Sequence, residues 1–571
     1  MTSSDKTSIK AKWDWLGLIC LFLFFWYFSG VTHLLLLLTG KVGFVGFRDA
    51  FIMSSLWLIP VLLFPKSVKL ISAVIGVVLW LSSLVGLGYF FIYGQEFSQS
   101  VIFVMFESNV AESTEYFLQY FVWWMIPVYI VYTLIAFLLW RRIKPLNFGR
   151  KQSISLAAVL FLSVIAYPLV KQIMKRPTLD IAFEKFEEKA ETAVPWQLLV
   201  GYHRYITQLA GMQKLLDGNA HIAPLENLVN MHANEPTTLV LVIGESTNRQ
   251  RMNLYGYPRT TTPGLNQLKD QLAVFNNVIS PRPYTIEVLQ QALTFGDEKN
   301  PDGYLTTPTI LNMMKQAGYK TYWITNQQTM TKRNTMLTTF SKEADEQVYL
   351  NNNLSQNTRR YDGDVLQPFK KILHDKAQHK LIVVHLLGTH MKYKYRYPDD
   401  YAKFKGRQDV PTWVSDSQLA AYNSYDNAVL YNDFVVSSLI HAFSASKDNG
   451  FLLYLSDHGE AVYDAPGNVL GRNEEKPLLT MYTIPFIVWA SDGWKNNFSM
   501  KDSDVMNRHY SSADLIYTWA DLAGIQFDGL DYTRSLISDK FKKHPLLIGD
   551  PYKPKSLIEV DLDKPNKGQL K

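Results

Sequence analysis

The chain has 571 residues, a formal net charge of +6 and a single cysteine, Cys20. One cysteine excludes an intrachain disulfide and a thiolate metal site, which leaves His, Asp, Glu and hydroxyl groups as possible metal ligands. The charge is mild, and the sequence has no basic stripe with interleaved aromatic residues, so we predict no nucleic-acid partner. The length predicts more than one domain.

Apolar runs in the first 170 residues predict five membrane-spanning helices, since a span needs about 20 mostly apolar residues. The runs are Trp15–Leu38, Ala50–Phe64, Leu70–Tyr93, Tyr120–Trp140 and Ser153–Val170. The first run is too long for a signal peptide and is not followed by a small-residue cleavage site. We therefore predict that it is retained as an anchor, and that residues 1–170 form a transmembrane domain.

Basic residues between the runs predict the orientation of the chain. They cluster before the first run, between the second and third, and between the fourth and fifth, at Lys6, Lys10, Lys12, Lys66, Lys69, Arg141, Arg142, Lys144, Arg150 and Lys151. The segment Gly94–Gln119 has neither Lys nor Arg. We predict a multi-pass protein with a cytoplasmic N-terminus and an external C-terminal domain, which means the inner membrane and the periplasm in a Gram-negative cell.

Residues 171–236 are more polar and predict helices that bridge the two halves of the chain. The run Trp196–Leu209 has an amphipathic pattern. Such a helix lies either on the membrane surface or within a plain linker, and the pattern favours neither.

From Thr237 onward, short apolar strands alternate with helical patterns, which predicts an α/β sandwich with a mostly parallel sheet over residues 237–571. The predicted strands are Thr238–Ile243, Val274–Ser280, Lys320–Thr325, Leu381–Leu386, Phe451–Leu455 and Pro485–Trp489. The predicted helices include Thr309–Ala317, Tyr361–His374 and Gln418–Ala442. Ligands of such sheets bind outside the carboxyl ends of the strands.

Chemically useful side chains follow four of these elements. Glu245 ends the first strand, Thr285 follows the second at a predicted helix start, and Asp457 and His458 follow the fifth. The fourth strand leads into the histidine pair of the segment His385–His390. Carboxylate and imidazole groups together suit a divalent cation. A threonine hydroxyl becomes a good nucleophile beside a metal or a base, so we predict that Thr285 is the nucleophile and a further ligand.

Five motifs point to a known family. They are Gly244–Thr247, Leu254–Pro263, His385–Pro398, Tyr425–Asp433 and Ser456–Glu460. With them the chain resembles the bacterial lipid-dependent phosphoethanolamine transferases of the alkaline phosphatase and sulfatase superfamily. Within that family it is most similar to the members that act on the lipopolysaccharide core. The resemblance covers essentially the whole chain, including the five apolar runs.

The resemblance implies an N-terminal helical membrane domain and a C-terminal α/β sandwich of the alkaline phosphatase and sulfatase type. It implies that Thr285 takes phosphoethanolamine covalently from phosphatidylethanolamine, releasing diacylglycerol. Glu245, Thr285, Asp457 and His458 would bind Zn²⁺, with Mn²⁺ as an alternative, and His390 would contact the substrate phosphate. The acceptor would be the lipopolysaccharide core, at heptose or its phosphate.

The resemblance also implies further contacts to substrate, for which we name Glu112, Lys332, His385, Glu460, Arg472 and Asn473. The family has a histidine after the Asp-His-Gly-Glu run, whereas Ala461–Met481 has none. Arg472 or Asn473 is the candidate replacement. Glu112 lies in the acidic segment between the third and fourth runs, where the family contacts lipid.

Three other functions compete with this prediction. A polyglycerolphosphate-type phosphotransferase shares the five spans, the threonine and the Ser-Asp-His-Gly run. A non-catalytic membrane sensor or scaffold would not need Glu245, Thr285, Asp457 and His458 together. A sulfatase needs the pattern Cys/Ser-x-Pro-x-Arg, which Ser280-Pro281-Arg282 does not fit. No feature of the sequence predicts which oligomeric state the protein adopts.

Overall fold

The structure is a computed structural model of the chain. It describes residues 3–39, 44–93, 102, 105–106, 121–175, 186–187, 189–216, 223–327, 336–350, 361–466, 469–474, 476–495, 502–553, 555 and 557–563. This part of the chain forms two compact units, one within residues 1–208 and one within residues 209–571.

The first unit is helical. Its helices are Ser3–Leu38, Phe44–Ser54, Leu58–Leu63, Val68–Tyr93, Met125–Arg142, Arg150–Phe161, Tyr167–Lys175 and the first part of Trp196–Leu216. They include five segments long and apolar enough to cross a membrane, namely Trp15–Leu38, Phe44–Leu63, Pro65–Ile92, Met125–Arg142 and Arg150–Lys171. Each overlaps one predicted run. The second segment begins at Phe44 rather than Ala50, because the helix continues through Arg48 and Asp49, whose side chains pair at 2.8 Å.

Two of these segments depart from regular α-helix near a proline. The second contains the 3₁₀ turn Ser55–Trp57 before Pro60, and the fifth contains the π-helical turn Leu162–Ala166 before Pro168. Proline has no N–H to donate and its ring excludes the carbonyl of the preceding turn, so the helix changes its hydrogen-bond spacing there.

Lys69, near the start of the helix Val68–Tyr93, bonds to the carboxyl end of the neighbouring helix Met125–Arg142. Its Nζ donates to the carbonyl oxygens of Trp140 at 2.6 Å and Arg141 at 3.0 Å, in the last turn of Met125–Arg142. The last carbonyls of a helix lack partners within the helix, and a lysine satisfies them well. The basic residues after the second and fourth segments therefore lie at the same end of the first unit, as the predicted orientation requires.

A sixth helix, Asp416–Ser446, is also long and apolar enough to cross a membrane by length and composition. It belongs to the second unit, where Tyr425, Val429, Val436 and Leu439 lie in a hydrophobic core beneath the sheet. Its polar residues Asp426 and Asn432 are buried too. It is therefore a central helix of an α/β domain.

The second unit is built on a seven-stranded sheet. In chain order the strands are β1 Thr237–Gly244, β2 Leu272–Val274, β3 Lys320–Thr325, β4 Glu346–Tyr349, β5 His379–His385, β6 Gly450–Ser456 and β7 Phe486–Ala490. Their order across the sheet is β2-β7-β6-β1-β5-β3-β4. β7 runs antiparallel to both of its neighbours, β2 and β6, and the other neighbouring pairs in this sheet are parallel. The predicted mostly parallel α/β sandwich is confirmed.

Both faces of this sheet are covered. Leu239, Leu241 and Ile243 of β1 face one core and Val240 and Val242 face the other, as the two-residue period of a strand requires. The first face packs against the helices Thr285–Ala292, Ile310–Gln316, Met336–Lys342 and Leu515–Leu522. The second packs against Pro263–Gln267, Leu366–Leu373 and Asp416–Ser446.

Smaller elements complete the unit. Four two-stranded pairs join Val229–Asn230 to Ile525–Gln526, Ala461–Val462 to Leu470–Gly471, Asn277–Ile279 to His509–Ser511, and Leu547–Ile548 to Ile558–Glu559. The short helix Ser503–Met506 precedes His509. The predicted strand Val274–Ser280 is wrong as one element, because Asn276 turns away and its N–H bonds to the Met506 carbonyl at 2.8 Å.

Candidate active site

The central strands bring the predicted acidic residues together. β6, β1 and β5 are neighbours, and Gly244 of β1 is in register with Ser456 of β6. Glu245 and Asp457 follow these two residues directly, so parallel pairing places them side by side at the carboxyl edge of the sheet. His458 is the next residue of the same loop. All three side chains are buried.

Thr285 is the first residue of the helix Thr285–Ala292 and follows an extended Tyr284. Its Oγ1 donates to Oε2 of Glu245 at 2.8 Å and lies 3.5 Å from Nε2 of His458. The hydroxyl is therefore in contact with a carboxylate that can accept its proton, and it stands at a helix N-terminus whose free N–H groups favour negative charge.

Glu245, Asp457 and His458 each offer a ligand atom, and these atoms lie within 4.8 Å of one another. His458 Nε2 lies 3.2 Å from Glu245 Oε1 and 3.4 Å from Asp457 Oδ2. Its other ring nitrogen, Nδ1, lies 2.8 Å from the Gly459 carbonyl oxygen, so Nε2 is the atom that faces the carboxylates.

The hydrogen bonds of Asp457 indicate whether Glu245, Asp457 and His458 together suit a cation. Its Oδ1 accepts hydrogen bonds from the backbone N–H groups of Ser246 at 3.0 Å and His458 at 2.7 Å. Its Oδ2 is buried and has no hydrogen-bond partner. A buried carboxylate oxygen without a partner is costly unless it coordinates a cation. The two carboxylates and the imidazole therefore fit a borderline divalent metal such as Zn²⁺.

The charges of Glu245, Asp457 and His458 also favour a bound cation. Burial raises the pKa of Glu245, but the charges of His458 and other basic neighbours outweigh burial and hold that pKa well below its ordinary value. Burial and the charge of Glu245 together raise the pKa of Asp457 above its ordinary value. Two buried carboxylates repel each other, and a divalent cation between them removes that repulsion.

Arg472 brings a permanent positive charge to the same place. Its Nη1 lies 2.7 Å from His458 Nε2 and 3.7 Å from Glu245 Oε1. Its Nε lies 3.4 Å from Oε2 of Glu460, whose Oε1 accepts from the Tyr393 hydroxyl at 2.8 Å. Burial lowers the pKa of Arg472, but the charges of Glu460 and Glu245 outweigh it and raise that pKa above its ordinary value.

The two histidines of the β5 segment occupy different positions. His385 is the last residue of β5 and packs edge-on against Trp323 with ring centroids 6.0 Å apart. His390 is half-buried in the following loop, where its Nδ1 has no hydrogen-bond partner. Burial lowers the pKa of His385 to about 4 and that of His390 to about 3, so both rings are neutral.

The remaining candidates lie elsewhere. The side chain of Asn473 accepts from the Lys476 backbone N–H at 2.8 Å and so holds its own loop. Of the two candidates for the missing family histidine, Arg472 therefore contacts His458 and Glu245, while Asn473 supports the segment beside it. Glu112 and Lys332 lie outside the described residues.

Two residues outside the predicted set, Gln327 and Ser246, also contact the site. Gln327 donates from Nε2 to Glu245 Oε2 at 3.3 Å and to the Leu386 carbonyl at 2.9 Å. Ser246 has a left-handed backbone, with φ of 58°, and its hydroxyl donates to Glu245 Oε1 at 2.6 Å. Left-handed geometry in a non-glycine residue is strained and is stabilised by its surroundings.

The helix Asp416–Ser446 supplies part of that stabilisation. The Tyr425 hydroxyl donates to the Ser246 carbonyl at 2.7 Å and accepts from the Asn248 N–H at 2.8 Å. Asp426, the next residue, binds Arg251 at 2.7 Å and Arg259 at 2.8 Å. The motifs Leu254–Pro263 and Tyr425–Asp433 therefore join this helix to the loop that carries Glu245.

We expect Tyr425→Phe to destabilise the protein by about 1–3 kcal/mol, the cost of leaving a buried backbone group without a partner. The Ser246 carbonyl keeps a second bond, from Thr389 Oγ1 at 2.8 Å, whereas the Asn248 N–H loses its acceptor. Metal affinity should fall as the loop loosens. Melting temperature and a zinc titration measure the two effects, and unchanged values of both would contradict this role.

The matched family model gives the class of the second unit. Residues 237–525 match the family described as Sulfatase. The match spans all seven strands, the Thr285 helix and the residues Glu245, Asp457 and His458. The second unit is therefore a sulfatase-type domain.

Curated relatives narrow this class. Phosphoethanolamine transferase EptC of Escherichia coli (strain K12) is 51% identical over 564 residues, which are 98% of each chain. Phosphoethanolamine transferase CptA of Salmonella typhimurium (strain LT2) is 51% identical with the same coverage. The chain belongs to the phosphoethanolamine transferase family and is an enzyme of that class.

Solved structures agree with this fold. The C-terminal periplasmic domain of EptC from Escherichia coli, in complex with Zn, is 57% identical and has a TM-score of 0.57, covering 59% of this chain and 96% of that domain. The integral membrane lipooligosaccharide phosphoethanolamine transferase A of Neisseria meningitidis is 19% identical and has a TM-score of 0.63, covering 91% and 98%. The second likeness concerns the fold alone. Apolar N-terminal helices followed by a sulfatase-type domain, as predicted, are confirmed.

Proposed function

We propose that this enzyme transfers phosphoethanolamine from phosphatidylethanolamine to the lipopolysaccharide core, at heptose or its phosphate, through a covalent phosphothreonine at Thr285. The observation that carries the proposal is the contact of Thr285 Oγ1 with Glu245 at 2.8 Å, beside His458 and Asp457. The acceptor is supported by the family membership and by the sequence resemblance to members that act on the core.

The reaction has two displacements at phosphorus. In the first, Thr285 Oγ loses its proton and attacks the phosphorus of phosphatidylethanolamine. The bond from phosphorus to the glycerol oxygen breaks, and diacylglycerol leaves with a proton. In the second, a deprotonated acceptor oxygen attacks the same phosphorus and breaks its bond to Thr285 Oγ, which regains a proton. The enzyme returns unchanged, as in ping-pong kinetics.

Glu245, Thr285, Asp457 and His458 are the residues that would bind the metal, with Zn²⁺ preferred over Mn²⁺ because imidazole is among the ligands. A bound divalent cation supplies positive charge that makes the Thr285 hydroxyl more acidic and neutralises phosphoryl oxygens. Glu245 accepts the hydrogen bond of Thr285 and thereby orients its lone pair toward the substrate.

Arg472, His390 and Glu460 would complete the substrate site. The guanidinium of Arg472 is suited to pair with phosphoryl oxygens. His390 is neutral, with a pKa lowered to about 3, and its unpartnered Nδ1 is available to a phosphate oxygen or an acceptor hydroxyl. Glu460 holds Arg472 through Oε2 at 3.4 Å.

We expect Arg472→Gln to lower the transfer rate by about a hundredfold to a thousandfold, the usual cost of removing one group that stabilises transition-state charge. Zinc content should remain that of the wild type, because Arg472 is not a ligand. Arg472→Lys retains a point charge and should recover part of the rate. Full activity of Arg472→Gln would contradict this role, as would loss of zinc.

The proposed domains are a transmembrane domain at 1–170, a bridge at 171–236 and a catalytic domain at 237–571. We place the protein in the bacterial inner membrane with a cytoplasmic N-terminus and a periplasmic catalytic domain. The distribution of basic residues supports this orientation, and so does the contact of Lys69 with the carbonyls of Trp140 and Arg141. The relative solved with Zn is described as a periplasmic domain.

Mass spectrometry of lipopolysaccharide from cells with and without the gene tests the function. We expect the core fraction of the deletion strain to lack one phosphoethanolamine mass, and the wild-type gene to restore it. The same loss from the lipid A fraction would keep the chemistry and contradict the acceptor. Unchanged masses in both fractions would contradict the proposal.

A further inference from the structure

Residues 403–413 form an exposed loop that the two displacements above do not use. Lys403, Lys405 and Arg407 are exposed, and the side chain of Trp413 is 48% exposed. Arg407 pairs at 2.6 Å with Asp416, but both side chains are exposed and such a pair is weak in water. The basic loop, as we call residues 403–413, has these three basic residues and one exposed acidic residue, Asp409, so it presents a net positive charge of +2 and an indole ring to its surroundings.

The basic loop is held in one conformation although its side chains are exposed. The N–H of Phe404 donates to Oδ1 of Asn427 at 2.8 Å, and the carbonyl of Gln408 accepts from Nε of Arg259 at 2.9 Å. Nη1 of Arg407 donates to the Val414 carbonyl at 2.9 Å. A ligand that binds a loop fixed in this way pays little ordering entropy.

Trp413 links the basic loop by a hydrogen bond to the segment that follows Glu460. Its indole Nε1 donates to the carbonyl of Tyr463 at 2.9 Å. Tyr463 is three residues beyond Glu460, a distance of at most about 11 Å along the chain. The indole N–H is thus satisfied, while the exposed part of the ring remains available for contact.

A short strand pair connects Tyr463, the partner of Trp413, to Arg472, which we propose to pair with phosphoryl oxygens. Ala461–Val462 pairs with Leu470–Gly471, and Arg472 follows directly. The basic loop and Arg472 are therefore attached to opposite ends of one small hairpin.

We propose that the basic loop binds the acceptor, a phosphorylated oligosaccharide carried on a lipid, and positions it for attack on the phosphothreonine. The inference rests on the proposed function and specifies where its second substrate binds. The two substrates differ in net charge. The phosphatidylethanolamine head group carries one phosphate and one ammonium and is neutral overall. A sugar chain with several phosphates is a polyanion, which exposed Lys and Arg side chains attract. The apolar face of a sugar ring can pack on the indole.

The test measures the two half-reactions separately, with full-length protein in phosphatidylethanolamine vesicles. The first readout is the burst of diacylglycerol without acceptor, and the second is transfer to purified lipopolysaccharide. For Lys403→Glu/Lys405→Glu, we expect the KM for lipopolysaccharide to rise about tenfold or more, as for other electrostatically guided encounters. The diacylglycerol burst should keep its rate and amplitude. Added salt should raise the wild-type KM far more than that of the variant.

The matched control is Lys370→Glu/Lys371→Glu, which makes the same charge change on two exposed lysines of the helix Leu366–Leu373, before the amino end of β5. Its KM should equal the wild-type value. An unchanged KM in Lys403→Glu/Lys405→Glu overturns the proposal. Equal loss in both half-reactions also overturns it, since the basic loop would then contact the donor membrane. If the wild-type enzyme itself gives the diacylglycerol burst but transfers nothing to lipopolysaccharide, the proposed acceptor is wrong.

Discussion

Replacement of Thr285 by alanine is expected to lower phosphoethanolamine transfer by at least about a thousandfold and to eliminate any covalent adduct. The hydroxyl that donates to Glu245 at 2.8 Å is the only atom on this side chain able to attack phosphorus. Intact-protein mass spectrometry after incubation with donor lipid detects the adduct, and lipopolysaccharide mass spectrometry measures the transfer.

Thr285→Ser is the matched control, because serine retains the hydroxyl at the same place and should form the adduct. Thr285→Ala should remain folded, since alanine is well tolerated in a helix and the hydroxyl loses only its bond to Glu245 at 2.8 Å and its long contact with His458 at 3.5 Å. Its melting temperature should stay close to that of the wild type. Transfer by Thr285→Ala at more than a small fraction of the wild-type rate would contradict the nucleophile role.

Asp457→Asn is expected to lower zinc affinity by more than about a hundredfold and to remove activity in parallel. Asparagine has the same shape, and its oxygen can still accept from the Ser246 and His458 N–H groups. It replaces the unpartnered, negatively charged Oδ2 by an amide that cannot neutralise a cation. Elemental analysis and competition with a chromophoric chelator measure the affinity.

The variant His390→Ala shows whether His390 binds the metal or contacts the substrate. His390 lies in the loop after β5, and the group of ligand atoms within 4.8 Å consists of Glu245, Asp457 and His458. We expect His390→Ala to lower turnover while retaining the zinc that Asp457→Asn loses. A zinc loss in His390→Ala equal to that in Asp457→Asn would make it a ligand and contradict its assignment to the substrate.

Much of the site could be predicted because its residues follow strongly apolar strands. Strands buried on both faces appear as continuous apolar runs, so β1, β5 and β6 were predicted almost to their ends. Parallel packing then brings the residues after them to one edge. The meeting of Glu245 and Asp457 follows from these two regularities.

Edge and supporting elements were harder to predict. β4, Glu346–Tyr349, was missed because an edge strand with half-exposed polar residues lacks an apolar run. The contact of Tyr425 with Ser246 joins residues 179 positions apart in the sequence. No local pattern contains that distance, and the Tyr425–Asp433 motif showed only that these polar residues share one helix.

The way the helix Asp416–Ser446 fixes the site has a consequence for how the catalytic domain matures. Its hydroxyl and carboxylate side chains hold the Glu245 loop, and the sequence after Cys20 contains no cysteine. The domain can therefore reach its active shape without thiol oxidation or an isomerase that rearranges cystines. Reducing conditions therefore have no disulfide to break in this domain, and defects in the oxidative folding machinery of the host do not impair its folding directly.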